Sequence, residues 1–380
     1  MNNDKKSLIE KAIEYLRKNK EKFKRGAELQ QQLWNGKKPD RQPLLLNCSP
    51  DEEDLLSLPG YNTRETHYDS EKMFASGLRE MLHAAYGEMD AVPSARANMG
   101  CGIFPSLFPG IIQELYEDKM PWIHSHLSKE VLSSMKADDL EISDEFKAGL
   151  DHMAYMAERL TGTGCHVFPM DLQGPFDTAH LVYGDAIFYD LYDDPDFVHH
   201  LLNLSCEAIF LGMEACLKII PDSDKLIAHY NHLVIPRSKG GIKISEDTST
   251  LLSREQIEEF VVPYTGRVLE YFGGGYIHYC GRNPHLLETV MNMPLAYGIN
   301  FGNPEMHDME QILKRCAQEN KIYYGTIPKQ IDESLEEYFT RLLKASRKGD
   351  RSMLLLLFHT EISQREKVIK AWENAGQDSV

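Results

Sequence analysis

Residues 275–300 read GYIHYCGRNPHLLETVMNMPLAYGIN, and this stretch decides the architecture. Gly275–Cys280 is a short apolar run of strand length. Asn283 then offers a helix N-cap and Pro284 fills the first helical position. Leu286, Leu287, Val290 and Met291 form a stripe at helical spacing. Leu295–Asn300 is the next strand. Two strands joined through a helix pair in parallel, with a right-handed crossover.

The same rhythm continues on both sides. Downstream, Asp308 and Gln311 resemble a capping box ahead of Ile312, Leu313 and Cys316. Ile322–Thr326 predicts a strand, and Asp332 caps a helix through Leu335, Tyr338, Phe339, Leu342 and Leu343. Met353–Phe358 predicts a strand buried on both faces, followed by a last helix from about Ser363 to Asn374. Upstream, Pro43–Asn47, Val92–Met99, Cys165–Asp171 and Leu226–Tyr230 are strand candidates. Helices are expected from Asp194-Pro195 to Ile219 and from Ser253, boxed by Gln256, to Phe272. Counting these gives about eight strands alternating with helices, an α/β pattern that predicts a (β/α)8 TIM barrel over residues 41–380. Residues 1–40 form an N-terminal helical extension, in which residues 1–25 read as one helix with Ile9, Ala12, Ile13 and Leu16 on its apolar stripe. An open doubly wound sheet is the alternative. It calls for a glycine-rich phosphate turn after an early strand, and no G-x-G-x-x-G occurs.

The chain has 380 residues, 42% apolar and 26% charged, enough to build a large core without covalent staples. Its net charge of −17 opposes the phosphate backbone of a nucleic acid. A local basic pocket for a small anion is compatible with that field. The first residues show no signal-peptide apolar stretch, and the aliphatic run at Leu354–Leu357 is too short to span a bilayer. The seven cysteines are odd in number, irregularly spaced and free of CxxC, which fits reduced thiols and a cytoplasmic setting away from membranes.

In a barrel the chemistry collects at the C-terminal strand ends. The strand at 275–280 ends in His278-Tyr279-Cys280-Gly281, and residues i and i+2 of a strand share a face. An imidazole and a thiol projecting together suit zinc, although a core cysteine beside a hydrogen-bonded histidine gives the same pattern. A third ligand belongs on another strand end. His359 directly follows Met353–Phe358, and Cys316 is its rival, placed on the apolar stripe of a helix where a thiol packs as a small hydrophobe. Asp171, Gln173, Tyr230, Asn300 and the adjacent pair Glu246-Asp247 also fall at strand ends, where acids and amides serve equally as caps and turn formers. Arg96 and Asn98 read either as an anion-facing strand end or as a salt-bridged loop.

Several stretches together resemble the uroporphyrinogen decarboxylase-like superfamily. They are Phe104-Pro-Ser-Leu-Phe108 with Met120-Pro-Trp122, Asp171-Leu-Gln-Gly-Pro-Phe176 with Leu191-Tyr-Asp-Asp-Pro195, and Lys243–Cys280. The last includes Leu252-Ser253, Glu259-Phe260, Pro263-Tyr264 and the His278-Tyr-Cys-Gly281 turn. The resemblance implies a (β/α)8 barrel. The decarboxylase branch carries an N-terminal arginine signature, of which Arg41–Pro50 retains only Arg41 and Pro43. The chain is therefore more similar to the cobalamin-dependent methyltransferase branch. That branch implies a zinc site on His278, Cys280 and a residue near the last strand, here His359. It also implies a thiol or related small acceptor, and a corrinoid, as methylcobalamin or on a corrinoid-binding protein, as the other reactant. In that reading Glu246, Asp247 or Asp171 orients a ligand or takes a proton, and Gln173, Tyr230 and Asn300 contact the cofactor. A lyase acting on another carboxylated substrate and a non-catalytic tetrapyrrole-binding protein are the alternatives. A homodimer is compatible with all three.

Overall fold

The computed structural model describes residues 3–49 and 58–378. Pro50, at the end of the Arg41–Pro50 stretch, lies outside them. The strands that position the site are β1 Leu44–Ser49, β2 Ser94–Ala95, β3 His166–Val167, β4 Leu226–His229, β5 Leu233–Pro236, β6 Ile242–Ser245, β7 Gly275–Tyr279, β8 Ala296–Phe301, β9 Ile322–Gly325 and β10 Leu354–Glu361. Six of them make one sheet in the order β1-β10-β9-β8-β7-β6, parallel throughout. β2 and β3 form a second parallel pair. Helices connect the parallel strands, as expected where strand and helix alternate.

Two places between these sheets carry single backbone bonds rather than ladders. Asp90 N donates to Leu44 O at 3.0 Å beside β1, and Gly174 N donates to Ser245 O at 2.7 Å beside β6.

One expected strand takes a different role. Leu226–Tyr230 does not enter the parallel sheet, because β4 pairs antiparallel with β5 through Leu226↔Pro236 and His229↔Leu233. A connection this short permits only a hairpin. Its turn is made by Asn231 and His232, both left-handed with φ of 57° and 67°. The sheet position is filled instead by Ile242–Ser245, four residues directly after Gly240 and Gly241. Both glycines have positive φ, and a Cβ on Gly240 would lie 1.7 Å from Gly274 O, so this entry to the strand requires glycine.

The alternation of each strand separates two environments. Ile242, Ile244, Ile277, Tyr279 and Ile299 face the surrounding helices within the main core. Leu45, Tyr276, Tyr324, Leu355 and Leu357 face the other way and pack with Leu33 and Trp34. The N-terminal segment is two helices, Asn3–Lys18 and Lys20–Trp34, rather than one. The second delivers Trp34 so close to β8 that a Cβ on Gly298 would lie 2.7 Å from its ring. It is anchored by Gln30, whose Nε2 donates to Asp90 O at 2.6 Å and whose Oε1 accepts from Val234 N at 2.8 Å. This end of the inner face is thus plugged with apolar side chains, which leaves the other end for polar groups. Helix Pro195–Ile219 meets the length and composition of a membrane span, yet Leu201, Leu202, Ile209 and Met213 on it lie in the core.

Candidate metal centre

At the C-terminal end of the strands, Asp247, His278 and Cys280 bring one oxygen, one nitrogen and one sulfur within 4.8 Å of one another. Each is placed by a separate piece of backbone. His278 is on β7 and is half-buried, because its register partners Ser245 and Asn300 wall it on both sides. Cys280 lies just past the strand, on the same face, before Gly281 turns the chain at φ 81°. Asp247 stands two residues beyond β6, at the start of the 3-10 turn Thr248–Leu251.

The distances suit a four-coordinate metal. Cys280 Sγ lies 3.6 Å from His278 Nε2, and Asp247 Oδ1 lies 3.8 Å from the same nitrogen. Tetrahedral zinc with bonds of about 2.0–2.3 Å sets donor–donor edges of about 3.3–3.8 Å. The tautomer is also correct for a ligand. Asn300 Nδ2 donates to Tyr324 O at 2.6 Å, which turns Asn300 Oδ1 toward His278 Nδ1 at 2.5 Å. His278 Nδ1–H then donates, and the Nε2 lone pair faces Cys280 and Asp247. Burial, followed by the adjacent Asp247 carboxylate, pushes the Cys280 thiol up to about 11. A cation between these groups reverses that penalty by stabilising the thiolate. The donor set, its spacing and its proton arrangement therefore fit a bound divalent metal.

His359, expected as the third ligand, is not part of this group. It sits on β10, separated from β7 by β8 and β9, so three strand spacings of about 4.8 Å intervene. It lines the same cavity as His278, at the same end of the sheet. Cys316 is fully buried in the helix core, as its place on the apolar stripe implied.

Glu246 is fully buried and does not line the cavity. It accepts from Ser249 Oγ at 2.7 Å and Thr265 Oγ1 at 2.5 Å, and burial raises its carboxyl to about 7. It therefore stands behind the cavity wall rather than at the mouth, with its oxygens bonded to two hydroxyls. Gln173 is likewise buried, away from the cavity lining. Tyr230 and Asn300 line the cavity.

The cavity has a volume of about 710 Å³, and its walls include Arg96, Asp171, Lys243, His278, Asn300 and His359. Asp171 lies between Arg96 Nη1 and Lys243 Nζ, each at 3.3 Å. Burial works against its ionisation, but the Lys243 and Arg96 charges outweigh that and hold the carboxyl at about 2. Glu80 lines the same cavity and faces Arg96, so this wall sets two cations among two acids. The Arg96 guanidinium also lies 5.5 Å from the centre of the Tyr230 ring. Lys243 was not singled out by sequence. The available signal was its position between Ile242 and Ile244, a charge on the inward face of an apolar strand. Asp177 was missed too. It accepts from Asp247 N at 2.8 Å and Thr248 N at 2.7 Å.

The sequence matches no known family profile and no curated protein. Among solved structures the fold is similar to a methyltransferase from Methanosarcina mazei, with a TM-score of 0.62 and 12% sequence identity, over 92% of this chain and 98% of that one.

Proposed function

We propose that this chain is a metal-dependent methyltransferase that moves a methyl group between a corrinoid and a thiol or related small acceptor, on a (β/α)8 barrel closed through Asp90–Leu44 and Gly174–Ser245. The observation that carries this reading is the convergence of Asp247, His278 and Cys280, with His278 lining the cavity and held in the ligand tautomer by Asn300. These three residues would hold zinc and leave one coordination position for substrate. A metal bound there supplies the positive charge that makes a substrate thiol reactive near neutral pH. Arg96 and Lys243 hold an anionic tail of that substrate and fix its orientation toward the mouth. His359 and Tyr230 bound the volume that the acceptor fills. A protein-borne corrinoid also needs a surface to dock on. This reading assigns that contact to Leu251 and Ile331, 72% and 93% exposed on the loops after β6 and β9.

A lyase acting on a carboxylated substrate is the second reading, favoured by the Arg96–Asp171–Lys243 wall, which suits a carboxylate without any metal. One experiment separates them. The purified chain is analysed for metal, then incubated with methylcobalamin and a panel of small thiols. About one zinc per chain, a methylated thiol, and loss of both in Cys280→Ser but not Cys316→Ser are expected. Full activity of metal-free protein on a carboxylated tetrapyrrole such as uroporphyrinogen would transfer the chain to the lyase reading.

A further inference from the structure

We propose that Asp177 is the positioning residue of the metal centre: it sets the third ligand, Asp247, without touching the metal. This rests on the metal-site reading above and extends it to a residue outside the donor set. Asp177 is the third residue of helix Pro175–Tyr183 and is 2% exposed. Its two carboxylate oxygens are divided between two consecutive backbone amides, Oδ2 accepting from Asp247 N and Oδ1 from Thr248 N. That grip fixes the first peptide units of the turn carrying Asp247. The other bonds of the turn complete the cradle. Asp247 O accepts from Thr250 Oγ1 at 2.6 Å, and Asp247 Oδ1 accepts from Cys280 N at 2.5 Å. Glu246 N donates to His278 O at 2.8 Å. Removing Asp177 therefore loosens the backbone of one ligand, while His278 stays anchored by β7 and Asn300, and Cys280 keeps its place directly after β7.

The geometry uses both oxygens of Asp177 as acceptors. Two parallel N–H donors need two acceptors, and an asparagine amide supplies one acceptor and turns its NH2 against the other donor. A buried donor left without a partner weakens the local structure. The cost should appear in the metal affinity through Asp247, since outer partners of a metal ligand typically govern affinity by about 10–100-fold.

The test uses cobalt(II) as the probe on the full chain, with competition against a chromophoric chelator and the thiolate-to-cobalt absorption band as readouts. Asp177→Asn should weaken cobalt binding about 10–100-fold. At saturating cobalt it should keep the thiolate band, because Cys280 remains a ligand. In an Asp247→Ala background the same substitution should cost no further affinity, which is the non-additivity of residues acting through one another. Unchanged cobalt affinity in Asp177→Asn, with or without a lower melting temperature, would overturn the proposal and leave Asp177 a fold residue. Equal affinity losses in the wild-type and Asp247→Ala backgrounds would also overturn it. Failure of the underlying metal reading looks different: wild-type protein would bind no cobalt, or Asp247→Ala would bind it undiminished. Asp177→Ser, which keeps one acceptor with less bulk, supplies a second variant if the asparagine protein does not fold.

Discussion

Asn300 Oδ1 lies 2.5 Å from His278 Nδ1 across the β7–β8 ladder, where the two residues are register partners. The contact makes the free nitrogen of His278, the one facing Asp247 and Cys280, a consequence of sheet register. Any change that alters the Asn300 amide should therefore act on the metal while sparing the fold.

Asn300→Ala removes the acceptor and frees the imidazole to change tautomer. Zinc affinity should fall about 10–100-fold. Chelator competition gives the affinity, and circular dichroism should remain that of the wild type. Unaltered zinc affinity would mean that His278 is oriented by packing alone.

The ligand set itself is separable by two substitutions. Asp247→Ala should lose most of the bound zinc. His359→Ala should keep it at wild-type stoichiometry, since His359 stands three strands away. Metal analysis after dialysis reads both. Loss of zinc in the histidine variant with retention in the aspartate variant would return the third-ligand role to β10.

The parts legible in sequence were those governed by local periodicity. The β7–helix–β8 unit is visible in residues 275–300 because its cap, proline and apolar stripe are all short-range signals. His278 and Cys280 were found because an i, i+2 pair needs no tertiary information. Ile242–Ser245 was hidden because four residues with one lysine carry too little alternation, and Leu226–His229 misled because a hairpin arm and a parallel strand share one composition. For the third donor the sequence points to His359, not Asp247. Asp247 and His359 both stand at strand ends, and only the packing of β6 beside β7 brings one of them to the cysteine. Asp177 lies 70 residues from the amide it holds, beyond any local pattern.

Asp171 should give the cavity a characteristic acid response. Its carboxyl is held at about 2 when folded, against about 3.9 in an unfolded chain. A depressed carboxyl contributes stability that is complete above about pH 4 and is lost as pH falls toward 2. The contribution is roughly 2 kcal/mol, and Asp171→Asn forfeits it by leaving Arg96 and Lys243 facing each other. Urea midpoints should differ clearly between the two proteins at pH 7 and converge as the pH drops below 4. A difference that stays constant from pH 7 to pH 3 would show that the ion pairs are not its source.

A steric probe of the thiol is available one strand over. Gly302 follows β8, and a Cβ added there would lie 2.4 Å from Cys280 Sγ. Its φ is not in the left-handed region, so alanine meets no backbone penalty and the conflict is with the sulfur alone. Cys280 can relieve it only by rotating Sγ away, and that moves the sulfur off the 3.6 Å approach to His278 Nε2. Gly302→Ala should therefore keep the cysteine and a near-native urea midpoint, yet bind zinc at least about tenfold more weakly. In the cobalt form its thiolate absorption should fall in proportion, a loss that no change in charge or hydrogen bonding explains. Wild-type affinity with an intact thiolate band would mean that Sγ already points elsewhere, and would remove Cys280 from the metal centre.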